Sequence, residues 1–378
     1  MNCGNSALKQ ECEAYLKRGV QVATVTRQGC VDYYITGVPR EGTPVGALFS
    51  DAAALIRELG ASIVSFEVFG LPGSDHAALR EAFGDGAWPV LWVEEGCGRD
   101  NPLCGIQIWA VAGPTVRPVL VEGRCAGTEF EADGVRYCRL GGILPADITQ
   151  SRADQTEAVF AQMERALESV GMDFSHVWRT WFYNYHMLEW YGEFNVVRTA
   201  YFKAHRVFDG LVPASTGIGG RNAAGAALTA GLIAAKAVTA PLAPEAIPSP
   251  LQCPALNYGS SFSRAVEVET GGVRRLFISG TASIEPGGLS VHIGDVDAQV
   301  DLTMDVAGAI LESRGMGWHN VSRAIAYFKI GEDKPAFDRC CAARGINGFP
   351  VLYTNNDICR DDLLFEIEVD AVSKDPVS

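Results

Sequence analysis

The sequence has little positive charge for its length. Its 378 residues include 31 lysines and arginines against 45 aspartates and glutamates, which gives a net charge of −14 at pH 7. A surface of this average sign does not attract nucleic acid or anionic membranes, so we expect neither as a partner. An anionic small molecule would need a local group of arginines.

The sequence also lacks segments that would place it in or across a membrane. The apolar stretch 223–237 is too short and too small in its side chains to span a bilayer. The first residues contain no apolar run typical of a signal peptide. We therefore expect a cytoplasmic protein.

Metal-binding patterns are missing as well. The chain has eleven cysteines but no CxxC pair, and its histidines show no paired ligand spacing. We expect free thiols in a reducing compartment and no bound metal.

What the sequence does contain is repetition. Three times, a strand ending in a glycine turn is followed by a helix, a strand, a second helix, a strand that begins at a proline and a final strand. The prolines at this place are Pro89, Pro213 and Pro350. The helices carry apolar residues at steps of three and four, as expected for helices that cover a sheet.

The repeats predict an α+β fold of three related units. We expect the units at 1–120, 121–240 and 254–378, with a proline-rich linker at 241–254. Each unit would be a mainly antiparallel sheet with two helices on one face. Packing the three free faces around a common axis would give a pseudo-trimer. Such a triplet closes its own axis, so we expect a monomer or a weak oligomer.

The order of elements, with "ISG" in the first strand and "FEIE" in the last, resembles the Rid (YjgF-like) family, whose members are usually homotrimers with clefts between subunits. A narrower resemblance, to the chorismatases, covers the second and third units. It rests on "WYGEFNVVRTAYF", "PASTGIGG", "SPLQCPALNYGSSFSRAVEV", "ISGTASI" and "CRDDLLFEIE", in that order. This resemblance implies cofactor-independent cleavage of the enolpyruvyl ether of chorismate, a dicarboxylate.

The segment "DICRDDLLFEIEVDAV", residues 357–372, predicts a hairpin with an acidic row on one face of its second strand. The resemblance implies that Glu366 in this row is the proton donor, and Glu368 is the second candidate. Cleaving an enol ether begins with proton transfer to the terminal methylene carbon. A carboxyl that does this near neutral pH needs a raised pKa, which burial in an apolar cleft supplies.

Two further residues bear on the ring product. The resemblance associates a cysteine at the position of Cys359 with formation of 3-hydroxybenzoate. Ala282 instead resembles the hydrolytic type, which leaves a dihydroxy-cyclohexadiene carboxylate. We expect 3-hydroxybenzoate as the main product, with the hydrolytic product as the alternative.

Arginines are the expected partners of the substrate carboxylates, because a guanidinium can donate two parallel hydrogen bonds to a carboxylate. The resemblance points to Arg198, whose helical position in Rid proteins reaches into a neighbouring cleft. Arg264 and Arg179 are weaker candidates. Phe262 occupies the place of a cleft tyrosine in simple Rid proteins.

Two other functions stay open at this stage. A Rid-type imine or enamine deaminase would hold its substrate with an arginine two residues after the strand-starting proline, and this chain has other residues there, such as Ser215 and Leu352. A non-catalytic Rid-like binding scaffold would show neither a carboxyl of raised pKa nor an arginine opposite Glu366.

Overall fold

The first sheet belongs to an α+β unit. The computed structural model describes residues 19–70, 75–94 and 103–374. The strand order of this sheet is β1-β2-β5-β3-β4, and β4 is parallel to β3. Its elements are β1 Val20–Arg27, β2 Cys30–Gly37, α1 Val45–Glu58, β3 Ser62–Gly70, α2 Asp75–Phe83, β4 Val90–Val93 and β5 Leu103–Ala112.

The second sheet repeats this arrangement and adds one strand at its edge. Its order is β10-β9-β11-β8-β7-β6, and β10 is parallel to β9. Its elements are β6 Arg117–Val121, β7 Arg124–Ala132, β8 Val135–Ile143, α3 Arg152–Ser169, β9 Val177–Asn184, α4 Met187–Ala204, β10 Ala214–Gly219 and β11 Leu228–Ala237.

The third sheet follows the same plan. Its order is β12-β13-β14-β17-β15-β16, and β16 is parallel to β15. Its elements are β12 Glu245–Ile247, β13 Ala265–Thr270, β14 Val273–Ala282, α5 Val296–Ser313, β15 Val321–Phe328, α6 Lys334–Ala343, β16 Val351–Asn355 and β17 Phe365–Ser373.

The long helices form where their sequences predict them. The Ser151 hydroxyl accepts the backbone N–H of Asp154 at 3.1 Å at the start of α3, and Asp295 accepts that of Ala298 at 3.1 Å at the start of α5. Buried residues of α3 at helical spacing, including Phe160 and Met163, pack on the second sheet.

Each sheet buries apolar side chains on both of its faces, and this arranges the three units around one axis. One face of each packs under its own helices. The other faces meet in a common core that includes Phe69, Tyr183 and Tyr327, one from each sheet. The expected α+β pseudo-trimer of three related units is confirmed.

No helix in the described ranges is long and apolar enough to cross a bilayer.

Some boundaries differ from expectation. β15 lies between β16 and β17, so the predicted hairpin at 357–372 is wrong: the segment is a loop from β16 that crosses over to β17. The expected linker at 241–254 contains β12. Residue 120 falls inside β6, which pairs with β7 in the second sheet.

Candidate active site

A cavity lies where the second and third units meet. β10 of the second unit runs beside β14 of the third, and the Ser215 N–H donates to the Ser279 hydroxyl at 2.8 Å. The cavity has a volume of about 180 Å³. It is lined by Tyr191, Asn195, Arg198, Ser215, Gly217, Tyr258, Ser260, Phe262, Arg264, Gly280, Ala282, Ile284, Cys359, Arg360 and Glu366.

Glu366 enters the cavity from β17. Its neighbours across the sheet are Ala282 in β14 and Tyr327 in β15. Only 4% of the residue is exposed, and no hydrogen bond or ion pair joins its carboxyl to another described residue. Burial, and then the negative charge of Glu368, raise the pKa of Glu366 to about 8. The carboxyl is therefore largely protonated at neutral pH.

Glu368, the second candidate for the acid, lies on the same face of β17 but does not line the cavity. Its carboxylate accepts hydrogen bonds from Arg323 at 2.6 Å and from Arg179 and the Trp181 indole at 3.0 Å. Burial alone would raise its pKa, but Arg323 and then Arg179 hold the pKa below its ordinary value. The two glutamates are thus kept in opposite protonation states, and the geometry favours Glu366 as the donor.

Arg198 lies opposite these strands on α4, and it is 1% exposed. Its Nη2 donates to the Asn195 Oδ1 at 2.6 Å, while its Nε has no hydrogen-bond acceptor. No acidic side chain forms an ion pair with it among the described residues. Burial lowers the pKa of this guanidinium. An unpaired buried cation at a cavity wall suits a carboxylate ligand.

Arg264 and Arg360 form a second cationic group on the wall from the third unit. The guanidinium of Arg264 is 5.5 Å from the ring centre of Tyr258, and that of Arg360 is 5.7 Å from the same ring. The Nη2 of Arg264 has no hydrogen-bond acceptor. Arg360 Nη1 donates to the Gly288 carbonyl at 2.9 Å. The cavity therefore has arginine side chains on two of its walls, and the Glu366 carboxyl also faces it.

Comparison with known proteins finds sequence relatives of this chain. No protein-family model matches the chain. It is 30% identical over 260 residues to a chorismatase of Streptomyces hygroscopicus, a match that covers 62% of this chain and 74% of the relative. A chorismatase of Streptomyces rapamycinicus is 31% identical over 262 residues and is covered to 76%.

This chain belongs to the chorismatase family.

A further relative and a solved structure are also similar to this chain. A 3-hydroxybenzoate synthase of Streptomyces hygroscopicus is 28% identical over 274 residues, which covers 65% of this chain and 77% of that protein. A chorismatase crystal structure superposes with a TM-score of 0.65 over 93% of this chain and all of the other, at 21% identity. The three-unit fold is therefore shared with a solved chorismatase.

Most of the residues predicted for the site come together in this chorismatase-family cavity. Cys359, Ala282 and Phe262 line it with Glu366, Arg198 and Arg264. Burial, and then the charge of Glu366, raise the pKa of Cys359 to about 12, so the side chain is a neutral thiol.

Arg179 is the exception. It lies outside the cavity, fully buried beside the axis, where its Nη2 donates to Glu368 at 3.0 Å and to the Thr216 hydroxyl at 2.6 Å. Arg179 therefore does not line the cavity as expected, because its guanidinium is paired with Glu368.

Several lining residues escaped the sequence analysis, among them Tyr191, Asn195, Tyr258 and Arg360. Tyr191 and Asn195 precede Arg198 on α4 by seven and three residues, so they share its face of the helix. That spacing was a usable signal. Tyr258 and Arg360 meet only through the fold.

The pseudo-trimer has two other positions equivalent to that of Glu366. Glu366 lies across the sheet from Tyr327, and the corresponding neighbours of Phe69 and Tyr183 are Gly105 and Thr229. Neither can donate a proton as a carboxylic acid does, so the chemistry expected of Glu366 belongs to one cleft.

Among the described residues, no group of three or more histidine, cysteine, aspartate or glutamate side chains is placed to hold a metal ion.

Proposed function

We propose that this chain cleaves the enolpyruvyl ether of chorismate and releases pyruvate, with 3-hydroxybenzoate as the main ring product. The observation that carries the proposal is Glu366, whose buried carboxyl faces a cavity that also contains Arg198 and Arg264. The family membership and the names of the relatives support the same substrate. A non-catalytic scaffold gives no reason for a carboxyl with a raised pKa at this place.

In the proposed reaction, Glu366 gives its proton to the methylene carbon of the enolpyruvyl group. The electron pair of the C=C bond forms the new C–H bond, and positive charge develops at the ether carbon as an oxocarbenium ion. The guanidinium groups bind the two substrate carboxylates.

The ether bond then breaks by one of two routes. In the hydrolytic route, water adds to the ether carbon and a dihydroxy-cyclohexadiene carboxylate remains. In the aromatising route, the ring rearranges with participation of its neighbouring hydroxyl. Pyruvate and 3-hydroxybenzoate together contain the same atoms as chorismate, so this route consumes no water.

The test is incubation with chorismate, with pyruvate measured by a coupled dehydrogenase and ring products by chromatography. In D₂O the methyl group of pyruvate should gain one deuterium from the acid. Glu366→Gln keeps the shape of the side chain but cannot deliver a proton, so pyruvate release should fall at least a hundredfold, as is typical when a general acid is removed. The exposed Glu269 provides a control, Glu269→Gln, which should keep full activity. Retention of more than about a tenth of the turnover in Glu366→Gln would contradict the acid role.

The product branch has its own test at Cys359, which shares the cavity with Glu366 and Ala282. A thiol is a weak hydrogen-bonding group and does not hold a water molecule well. Cys359→Val removes the thiol at nearly the same volume. We expect the ratio of dihydroxy-cyclohexadiene carboxylate to 3-hydroxybenzoate to rise while pyruvate release is largely kept. An unchanged product ratio would assign Cys359 to packing alone.

A further inference from the structure

Thr216 lies between the Glu366 acid and the charged side chains of Arg179 and Glu368. This residue of β10 is 1% exposed. Its hydroxyl oxygen accepts a hydrogen bond from Arg179 Nη2 at 2.6 Å and another from the Gly280 N–H at 3.1 Å. Burial raises the pKa of the Glu368 carboxyl, but Arg323, then Arg179 and then a hydrogen bond from the Thr216 hydroxyl hold this pKa below its ordinary value. One side chain of the second unit thus holds three groups around the acid.

The contact with Gly280 matters because this backbone lies directly against the acid. A Cβ atom at Gly280 would overlap the Glu366 carboxyl, and its next neighbour would be the Thr216 methyl at 3.4 Å. The Gly280 N–H points to Thr216 rather than to Glu366. The hydrogen bond therefore fixes the strand segment against which the carboxyl rests.

The hydrogen bond between Thr216 and Arg179 affects the charge state of Glu366, because it fixes the position of the guanidinium. Arg179 has an Nε without a hydrogen-bond acceptor, so this guanidinium has a donor to spare. Glu366 and Glu368 are two residues apart on one strand face, which separates their backbones by about 7 Å. An Arg179 released from Thr216 could turn toward Glu366, and an ion pair there would leave the acid ionised and unable to donate.

We propose that Thr216 is a positioning residue for the acid: it anchors the Gly280 backbone beneath the Glu366 carboxyl and keeps Arg179 engaged with Glu368 instead of Glu366. This inference rests on the proposed function, since it concerns proton donation by Glu366. The charged and titratable groups around Glu366 are Glu368 on its own strand, Arg179 on β9, Arg264 before β13, Cys359 before β17 and Tyr191 on α4.

The test compares Thr216→Val, which removes the hydroxyl and keeps the shape, with Thr216→Ser, which keeps the hydroxyl. Thr128 supplies the matched control. It is also 1% exposed and joins two units by donating to the Val64 carbonyl at 2.7 Å, far along the chain from the cavity residues. Turnover, the Michaelis constant for chorismate and the pH dependence of both are measured for the wild type and for each variant.

We expect Thr216→Val to lose about tenfold or more in turnover, with a Michaelis constant within about twofold of the wild type. The alkaline limb of its pH profile should move down by about one pH unit, because Arg179 then stabilises ionised Glu366. Thr216→Ser and Thr128→Val should behave as the wild type. If Thr216→Val does not fold, Thr216→Ala, which adds no volume, is measured in the same way.

Two results would overturn the inference in an active wild type: full turnover in Thr216→Val, or a loss of turnover with the alkaline limb unmoved. A wild type that releases no pyruvate from chorismate would instead overturn the proposed function itself, so the two failures are distinguishable.

Discussion

At the scale of residues, the site depends on two buried groups, Glu366 and Arg198, that form no ion pair with any residue the structure describes. The Glu366 carboxyl has no hydrogen bond to a described residue, and Arg198 has no acidic partner among them. Each costs free energy in the folded state unless a ligand compensates for it. Such costs are typical of functional sites, where groups are held ready for a ligand or a reaction.

The raised pKa of Glu366 predicts how activity and stability depend on pH. Because the acid must be protonated, kcat/KM should fall as the pH rises through about 8. Between its ordinary value of 4.5 and about 8, the folded protein holds a proton that the unfolded chain releases. Stability therefore decreases with rising pH across this window. Glu366→Gln should be more stable than the wild type by roughly 1–4 kcal/mol at pH 9 and nearly equal to it at pH 4.

Urea unfolding at the two pH values checks this second effect, and kcat/KM profiles check the first. A stability difference of the same size at pH 4 and pH 9 would show that the amide acts through packing and that the carboxyl is not held protonated.

Arg198 and Arg179 should respond in opposite ways to replacement by methionine. Arg198→Met removes an unpaired cation, so the fold should be as stable as the wild type or more so. Its Michaelis constant for chorismate should rise, because the substrate loses about 1.5–3 kcal/mol of binding free energy, the usual loss for a hydrogen bond to a charged group. Arg179→Met leaves Glu368 with one arginine fewer and should destabilise the fold by about 3–5 kcal/mol. Thermal unfolding and chorismate kinetics of both variants test this contrast, and a fold weakened equally by both would refute it.

At the scale of elements, the repeat was visible in the sequence because each unit keeps the same hydrophobic periods and the same proline before its fourth common strand. Those local signals predicted four of the five common strands and the two helices of each unit, and missed the first strand, which is β1, β7 or β13. The hairpin at 357–372 could not be judged locally, because the insertion of β15 between β16 and β17 is a long-range pairing. The short edge strands β6 and β12 carry too few residues to show a period.

The site shows the same division. The sequence stretches that resemble the chorismatases contain Glu366, Cys359 and Arg198. Arg179 was a weaker candidate than Arg198 in the sequence, and only the position of Glu368 in the third unit shows that the Arg179 guanidinium already has an ion-pair partner. The contacts of Thr216 could not be predicted at all, since its three partners come from β9, β14 and β17.

The approach of β14 to β17 sets a steric condition at Gly280. Its backbone conformation is open to other residues, since its φ is not in the left-handed region, so the space is limited by the Glu366 carboxyl alone. Gly280→Ala should displace that carboxyl and lower turnover by about tenfold or more, since a shift of 1 Å in a reacting group can cost a hundredfold. Gly192 in α4 has open space around it, and Gly192→Ala should keep full activity. Pyruvate release measures both, and an active Gly280→Ala would show that the carboxyl can move aside without loss.

At the scale of the whole molecule, the first unit contributes to the site through the axis. Its Glu67 carboxylate binds Arg139 of the second unit and, at 2.6 Å, Arg323 of the third. Arg323 in turn binds Glu368. A chain of alternating charges therefore runs from the first unit, which contributes no lining residue to the described cavity, to the strand that holds the acid.

This chain of charges predicts that Glu67→Gln is strongly destabilising. Two arginines from other units would lose a buried anion, and the free energy of unfolding should fall by about 3–5 kcal/mol. Glu131 pairs with Arg136 at 2.6 Å on the surface, where 47% of its side chain is exposed. Glu131→Gln should therefore cost only about 0.2–1 kcal/mol. Urea unfolding of the two variants measures the difference, and similar losses would mean that the axial charges are not coupled across the units.

The replacement of the acid by Gly105 and Thr229 in the other two clefts has a consequence for stoichiometry. A symmetric assembly of three identical subunits must repeat every substitution in each cleft and so offers three equal sites. In this fused chain, a tight-binding analogue of chorismate should reach its equivalence point at one molecule per chain of 40.5 kDa. Its binding isotherm should be a simple hyperbola, with no second or third class of site at higher concentration.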